Sequence, residues 1–441
     1  MPVTDAPAAP PPEASAAGGP WTCPFCALLC QAPADAGVPD GCPRARAALA
    51  ALAADRPPGS DRPSVDGAPV PLGTALSVAA ERLGQWRQPL FGGLGTDVAG
   101  ARALYRLAAR TGAWCDHAEG EALATALRVV QDGGQQGTTL GELRSRADLV
   151  VFVGTDARAL PRLPARAGFG AAGSPCRELV FLGAEPPAWA RALADAADAP
   201  RVTALAAADL PAALQQLAAL VDERRLPAPD PALAALAERL RDARYAVLLW
   251  EPAALPAHGA LCGERLNRIA ARLNRSTRAA TLALGGHDGG ASVQQAFTWL
   301  GGLPLRSRVS QRDGLRHEPW TGAGARLLAR GAADGLLWVS SFDPTRLPPE
   351  DAPPAIVLGP PAMGAALAAR PAPAGRVFVP VATPGVHEPG HLFRFDGTVV
   401  LPLQPRPDLR ADAGPAGALR PVDVIVGALE RLLAPADGGP R

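Results

Sequence analysis

The sequence predicts an α/β fold with mainly parallel sheets, preceded by a small cysteine-rich module. Strand-like and helix-like segments alternate through the middle of the 441 residues, which is typical of βα units. Residues 148–154 and 178–183 are apolar with almost no alternation, as expected for strands that are buried on both faces. Four cysteines between residues 23 and 42 predict the separate module.

The composition indicates a globular protein and limits the partners that we expect. Hydrophobic residues make up 48% of the chain, charged residues 19%, and the net charge is +1. A chain of this length has room for two or three domains with substantial cores. The balanced charge gives no reason to expect nucleic acid as a partner. We expect no membrane association, because no apolar run reaches the length of a membrane span.

Hydrophobic spacing and turn residues predict the individual elements. The predicted helices cover residues 43–53, 74–85, 97–111, 119–131, 204–222 and 231–242. The predicted strands cover residues 89–95, 148–154, 178–183, 245–250, 281–285, 335–341 and 355–359. A hairpin is predicted at 64–70 around Asp66-Gly67, and short strands and turns at 377–403.

These elements predict a division of the chain into five segments. Residues 1–20 are rich in Ala and Pro and lack the features of a secretory signal, so we expect a disordered tail. The Pro-rich stretch at 226–231 is predicted to join two lobes. The predicted segments are the tail, a cysteine module at 21–72, a first α/β domain at 73–230, a second at 231–370, and a strand and turn segment at 371–441 packing on the α/β body.

The clustered cysteines have the spacing C-x2-C-x3-C-x11-C, which suits metal ligands. Without a secretory signal we expect a cytoplasmic protein, where thiols stay reduced and rarely form disulfides. Both a [4Fe–4S] cluster and a structural zinc ion fit four thiolates. The predicted ligands are Cys23, Cys26, Cys30 and Cys42. The scattered cysteines, which are typical of buried apolar fillers, are Cys115, Cys176 and Cys262.

Two further motifs allow both a functional and a structural interpretation. The glycine-rich segment 285–290 can approach a phosphate or a pterin closely, since glycine has no Cβ, but it also suits a simple turn. His387, Glu388 and His391 match the zinc-binding pattern H-E-x-x-H by letters. Pro389-Gly390 lies between the two histidines and would break the helix that this pattern requires, which favours a structural role.

The cysteine module and several later segments resemble the B subunits of formylmethanofuran dehydrogenase and of the bacterial formyltransferase/hydrolase complex. The resemblance covers most of residues 21–405, and its main segments are 91–102, 147–154, 281–306, 379–388 and 393–397. It implies a molybdopterin-oxidoreductase-like fold, with Rossmann-like parallel-sheet domains after the cysteine module. It also favours the [4Fe–4S] cluster over zinc.

The resemblance implies that one metal ligand is missing. In the redox-active archaeal proteins, the region that corresponds to residues 116–123 carries a cysteine that ligates tungsten or molybdenum. Matching outward from Gln131-Asp132 places Ala122 at that position, and a methyl group cannot coordinate a metal. The alternative ligands nearby are Cys115 and His117. We therefore expect no pterin-bound tungsten or molybdenum.

The resemblance implies a non-catalytic platform subunit in tetrahydromethanopterin-linked oxidation of formaldehyde to formate. In that family, formyl groups pass to a methanofuran-like carrier; the D subunit performs the transfer and the A subunit the hydrolysis. The expected partners are the A, C and D subunits, and through them the carrier. The alternatives are an active formylmethanofuran dehydrogenase B subunit, which would need a pterin-bound metal, and a zinc-stabilised scaffold.

Overall fold

Two large sheets with parallel strands form the body of the computed structural model, which confirms the predicted α/β class. The expected disordered tail lies outside the described residues, apart from Pro20. The structure describes residues 20–33, 37–53, 59, 62–193, 199–310, 314–370, 375–406 and 419–433.

The elements agree closely with the alternation in the sequence. The strands are β1 (Trp21–Thr22), β2 (Gln31–Ala32), β3 (Ser64–Val65), β4 (Ala68–Pro69), β5 (Pro89–Gly95), β6 (Trp114–Cys115), β7 (Leu149–Val153), β8 (Glu178–Leu182), β9 (Arg201–Leu205), β10 (Ala246–Trp250), β11 (Ala279–Ala283), β12 (Ser307–Ser310), β13 (Gly314–His317), β14 (Gly335–Ser340), β15 (Ala355–Gly359), β16 (Val377–Pro380), β17 (Gly390–Phe393) and β18 (Val400–Leu403). The helices are α1 (Pro43–Leu52), α2 (Leu72–Gln85), α3 (Val98–Thr111), α4 (Gly120–Gly133), α5 (Leu140–Arg146), α6 (Leu163–Ala167), α7 (Ala188–Leu193), α8 (Leu210–Val221), α9 (Pro231–Asp242), α10 (Gly259–Leu273), α11 (Gly290–Gly301), α12 (Gly324–Ala329), α13 (Pro361–Ala368) and α14 (Val422–Leu432).

The larger sheet has nine strands in the order β13-β12-β6-β5-β14-β15-β16-β3-β4. Its five central strands, from β6 to β16, run parallel, and antiparallel strands close both edges. β5 lies at the centre with all seven residues buried, which explains its lack of polar alternation. Leucines of α2, α3 and α14 belong to the core on this sheet, among them Leu83, Leu104 and Leu429.

The smaller sheet has five strands, all parallel, in the order β11-β10-β7-β8-β9. Leu214, Leu236 and Leu266, from α8, α9 and α10, lie in the core together with one face of this sheet. On the other face the rings of Phe152 and Phe181 stack with centroids 4.6 Å apart. The strands are hydrophobic throughout because helices or loops cover both faces.

The two α/β domains predicted to meet at residue 230 do not correspond to the two sheets. β10 and β11 follow that boundary, yet they join β7 to β9 in one sheet. The larger sheet likewise combines β5 and β6 with strands that lie beyond residue 306. The Pro-rich stretch at 226–231 therefore connects α8 with α9 beside a single sheet. Sequence order misled the division because parallel pairing joins strands that are distant along the chain.

Two predicted elements were wrong in part. The helix expected at 204–222 is shorter, because residues 201–205 form the edge strand β9 and only Leu210–Val221 is helical. The segment at 371–441 contains more than strands and turns, since it includes α14, which packs on α2 and α3. The β-branched residues of α14 resemble a strand locally, but Val422, Ile425, Val426 and Leu429 share one buried face at helical spacing. Among the described residues, no helix is both long and apolar enough to cross a membrane.

Candidate functional site

The cysteine module is organised by the small hairpin of β1 and β2 and by the start of α1. The backbone N–H of Cys23 donates to the carbonyl of Cys30 over 2.9 Å, which closes the loop that also carries Cys26. Cys42 is the residue before α1, and its N–H donates to the carbonyl of Pro39 over 2.8 Å. The local backbone thus brings all four cysteines of the motif into one module.

Burial dominates the chemistry of these thiols, each of which is at most 6% exposed. Burial raises the pKa of Cys26 and of Cys23, and it raises the pKa of Cys30 to about 12. The charges of Arg44 near Cys26, and of Arg166 and Arg162 near Cys30, act in the opposite direction. The thiolate forms therefore need a positive partner, such as a metal centre, to persist in this environment.

The four thiols are neighbours, but they do not converge on one ion. The pKa of Cys23 is raised by burial and then by the nearby Cys26, Cys30 and Cys42, which places all four within electrostatic reach. Over the described ranges, no group of three or more His, Cys, Asp or Glu side chains is arranged to hold a metal ion. The donor set suits a [4Fe–4S] cluster or zinc chemically, and both stay predictions.

Specific hydrogen bonds attach the cysteine module to the α/β body. The backbone N–H of Ala27 donates to Nδ1 of His287 over 3.3 Å. Arg44 donates through Nε to the carbonyl of Phe25, at 2.8 Å, and through Nη1 to the carbonyl of Ala159, at 3.2 Å. The Ala27 contact places the module beside the loop between β11 and α11, and the Ala159 contact joins it to the segment after β7, whereas the Phe25 contact lies within the module.

The carboxyl ends of β5, β6 and β14 form a crevice next to the cysteine module. β5 pairs with β6 on one side and with β14 on the other. The order in which the chain adds strands to the sheet therefore switches sides at β5. Ligands of open α/β sheets usually bind in such crevices. Here the loop between β11 and α11 enters the crevice, and buried or half-buried acidic and basic side chains fill it. Its described members are Asp116, His117, Glu119, Asp288, Arg306 and Arg346.

Asp288 lies at the centre of this cluster. Its carboxylate Oδ2 is 3.2 Å from Nε of Arg346, and Nη2 of Arg346 also contacts Oε1 of Glu119 over 3.3 Å. Burial raises the pKa of Asp288 to about 7, although the charge of Arg346 lowers it. The carboxyl group is thus held inside the protein mainly by its arginine partner.

A second ion pair lies beside the first. Oδ1 and Oδ2 of Asp116 accept hydrogen bonds from the backbone N–H groups of His117, at 3.0 Å, and Gly324, at 2.8 Å. Nε of the buried Arg306 is 3.6 Å from Asp116, and its Nη2 donates to Glu121 over 2.7 Å. Burial raises the pKa of Asp116 to about 6, and Arg306 counteracts this shift.

Ala122 and its two possible replacements do not form a metal site. Ala122 lies half-buried in the first turn of α4, one residue after Glu121. Cys115 belongs to the core of the larger sheet, and its Sγ lies 3.9 Å from the carbonyl of Ala113. His117 uses both ring nitrogens: Nδ1 accepts from the N–H of Glu119, at 2.9 Å, and Nε2 contacts the carbonyl of Asp288, at 3.2 Å.

The residues of the H-E-x-x-H motif have a structural role, as the Pro389-Gly390 sequence between the two histidines indicated. Nδ1 of His387 accepts a hydrogen bond from the backbone N–H of Thr383 over 3.0 Å, whereas His391 lies in β17 with its side chain exposed. The two histidines therefore do not share a helical face.

Sequence reasoning missed the acidic and basic side chains of the crevice. The available signals were weak: Asp116 follows strand β6 directly, and Asp288 lies within the glycine-rich segment 285–290. Arg306 only ends the family-like segment 281–306, and nothing indicated the ion pairs of Arg306 and Arg346, because their partners are distant along the chain.

Comparison with known proteins identifies the family. No protein-family model matches the chain. The B subunit of the formyltransferase/hydrolase complex of Methylorubrum extorquens is 32% identical over 286 residues, which cover 64% of this chain and 75% of that protein. The crystal structure of the formyltransferase/hydrolase complex (FhcABCD) from the same organism, in complex with methylofuran, matches with a TM-score of 0.69 and 27% identity. That match covers 84% of this chain and 98% of the matched chain. The chain therefore belongs to the B-subunit family of the formyltransferase/hydrolase complex.

Proposed function

We propose that this chain is a non-catalytic platform subunit of a formyltransferase/hydrolase complex. The single observation that carries this proposal is the absence of a ligand where the family resemblance expects one. Ala122 offers only a methyl group, Cys115 points into the core, and both ring nitrogens of His117 are engaged. Pterin-bound tungsten or molybdenum does not fit these residues.

The proposed setting is the cytoplasmic oxidation of formaldehyde to formate through tetrahydromethanopterin. Formyl groups pass to a methanofuran-like carrier and leave as formate, with transfer in the D subunit and hydrolysis in the A subunit. Hydrolysis needs water and no electron acceptor, so the complex does not require a redox-active B subunit. The related crystal structure, which holds four types of subunit and methylofuran, supports these partners.

The cysteine module is proposed to hold a structural [4Fe–4S] cluster. Its support is the retention of four buried thiols together with the charges of Arg44, Arg162 and Arg166 near them. A structural zinc ion is the alternative, and the module alone would also suit an active formylmethanofuran dehydrogenase. The missing ligand at Ala122 argues against that activity.

Co-purification with metal analysis tests the proposal. A tagged full-length chain from native cells should bring down proteins that resemble the A, C and D subunits, with no stoichiometric tungsten, molybdenum or pterin. The complex should hydrolyse formyl groups and should not reduce viologen dyes with formate. A monodisperse monomer without partners would contradict the platform role, and stoichiometric pterin-bound metal would support the dehydrogenase instead.

Two exposed tryptophans offer a sharper version of this test. Trp299 is 70% exposed and Trp320 is 59% exposed, and large exposed apolar groups of this kind often mark protein–protein contacts. Replacing each by serine should reduce the recovery of partner proteins in at least one of the two variants. Full recovery in both would show that assembly uses other surfaces.

A further inference from the structure

The Asp288 carboxylate packs against the backbone at the carboxyl end of β5. A Cβ atom at Gly95, the last residue of β5, would lie only 2.7 Å from Oδ2 of Asp288 and 3.0 Å from its Oδ1. The side chain therefore rests directly on the glycine backbone. Asp288 adopts a positive φ of 52°, which is uncommon outside glycine and asparagine-like residues and directs this close approach.

Charges of both signs act on the Asp288 carboxyl group: burial and the carboxylates of Asp343 and Glu119 oppose its ionised form, whereas two arginines favour it. Arg346 lies 3.2 Å away, and the charge of Arg44 also acts on the Asp288 carboxyl group. The helix α11 begins at Gly290 without a side-chain cap, so its positive end is not neutralised by a capping side chain. Within the described part of the chain, neither oxygen of Asp288 accepts a hydrogen bond. Charge, and not hydrogen bonding, therefore holds the carboxylate in place.

A pocket of about 370 Å³ adjoins this carboxylate. Arg44 and Arg346 line it, together with Phe25 and Phe342, and two carboxylates, Asp288 and Asp343, also lie in its wall. A volume of this order lies at the lower end of those that hold small ligands. Two guanidinium groups and the start of a helix would suit phosphate oxygens if the carboxylate were absent.

We propose that Asp288 serves as a built-in anion in a phosphate-type binding site and so excludes anionic ligands from the crevice. This inference rests on the proposed function, because a platform subunit without cofactor chemistry can fill its own ligand crevice. The ion pair of Asp288 with Arg346 then connects the loop before α11 with the segment after β14, so that the filled crevice contributes to the rigidity of the body.

Removing the carboxylate should create binding. We would titrate the purified full-length chain with pyrophosphate at about pH 8, where Asp288 is mainly ionised, using isothermal calorimetry. Asp288→Ala should bind pyrophosphate at least about tenfold more tightly than the unaltered chain. Asp288→Asn, which keeps the shape of the side chain, tests the same loss of charge if the alanine variant does not fold. Adding Arg346→Ala to either variant should abolish the gain.

A matched control tests whether removing the carboxylate partner of any pair of arginines would create a pyrophosphate site. Glu178 is also buried, and its carboxylate contacts Arg201 and Arg239, but it lies at the amino end of β8 and far from the crevice. Glu178→Gln should not produce a comparable gain in pyrophosphate binding. Circular dichroism would establish that each variant is folded.

Two results would overturn the inference. They are no gain in pyrophosphate affinity in folded Asp288 variants relative to the unaltered chain, and an equal gain in Glu178→Gln. Co-purification of the partner proteins does not depend on any of these measurements. A failure of this inference is therefore distinguishable from a failure of the platform role.

Discussion

The cysteine module and the crevice beside it accommodate buried ionisable groups in opposite ways. The module keeps all four potential metal ligands and buries them, with Cys23 and Cys42 packed near Trp21 and Phe25. The crevice is filled with paired acidic and basic side chains. The comparison teaches that a crevice can be filled and stabilised by internal ion pairs, whereas buried thiols still need a metal to become charged.

The largest expected effect concerns the metal in the cysteine module. Anaerobically purified complex should contain about four iron atoms per copy of this chain, with matching acid-labile sulfide. The double variant Cys26→Ser with Cys30→Ser should lose nearly all of this iron, because two ligands are removed. Cys176→Ser, which alters a buried thiol outside the module, is the matched control and should keep it. Stoichiometric zinc without sulfide would refute the cluster and favour a structural zinc site.

The next effect concerns the second ion pair of the crevice. Arg306→Ala should lower the free energy of unfolding by about 3–5 kcal/mol, because Asp116 would remain buried without its charged partner. Adding Asp116→Asn should recover part of this loss, since the uncompensated charge is then removed. Urea unfolding of both variants measures the difference. A loss below about 1 kcal/mol in the single variant would mean that the pair contributes little.

A smaller effect concerns the dependence of stability on pH. Because burial raises the pKa of Asp288 to about 7, the folded chain holds this proton more tightly than the unfolded chain does. The resulting contribution to stability is complete below the ordinary value of 3.8 and is lost as the pH rises to about 7. The stability of Asp288→Asn does not fall in this way, because its side-chain amide does not titrate. Its stability relative to the unaltered chain should therefore rise by about 2–3 kcal/mol between about pH 5 and about pH 8.

Two neighbouring histidines also titrate, so the pH dependence of Asp288→Asn has to be measured relative to that of the unaltered chain. Burial lowers the pKa of His117 to about 4 and of His287 to about 3, so their contributions to stability are lost as the pH falls. The unaltered chain and Asp288→Asn share this opposite trend. It therefore cancels, to a first approximation, in the difference between their free energies of unfolding. A difference that does not change with pH would show that Asp288 does not titrate in this range.

The smallest effect is expected at the H-E-x-x-H letters. His391 is exposed in β17, so His391→Ala should change the free energy of unfolding by less than about 0.5 kcal/mol. The metal content of the complex should stay the same. Loss of a stoichiometric metal from this variant would revive the zinc-binding interpretation and weaken the contrast between the module and the rest of the chain.

Local patterns account for most of the elements that could be predicted. β5 and β7 were recognisable because both are fully buried and therefore almost continuously hydrophobic. β9 was missed because its sequence, which is half-exposed at a sheet edge, runs directly toward the Ala/Leu-rich α8. α14 was missed because its β-branched residues resemble a strand locally, although its apolar residues have helical spacing and pack on α2 and α3. Tertiary packing overrides local preference in such short segments.

The sequence by itself determined the α/β class, the cysteine module and the family, because these depend on the spacing and order of residues along the chain. Only the tertiary structure decided which strands share a sheet and what fills the crevice. Asp288 meets Gly95 and Arg346, and Asp116 meets Arg306, across long stretches of sequence. Such contacts leave no periodic or compositional signal, because the burial that makes each charge costly arises only when segments that are distant along the chain pack together.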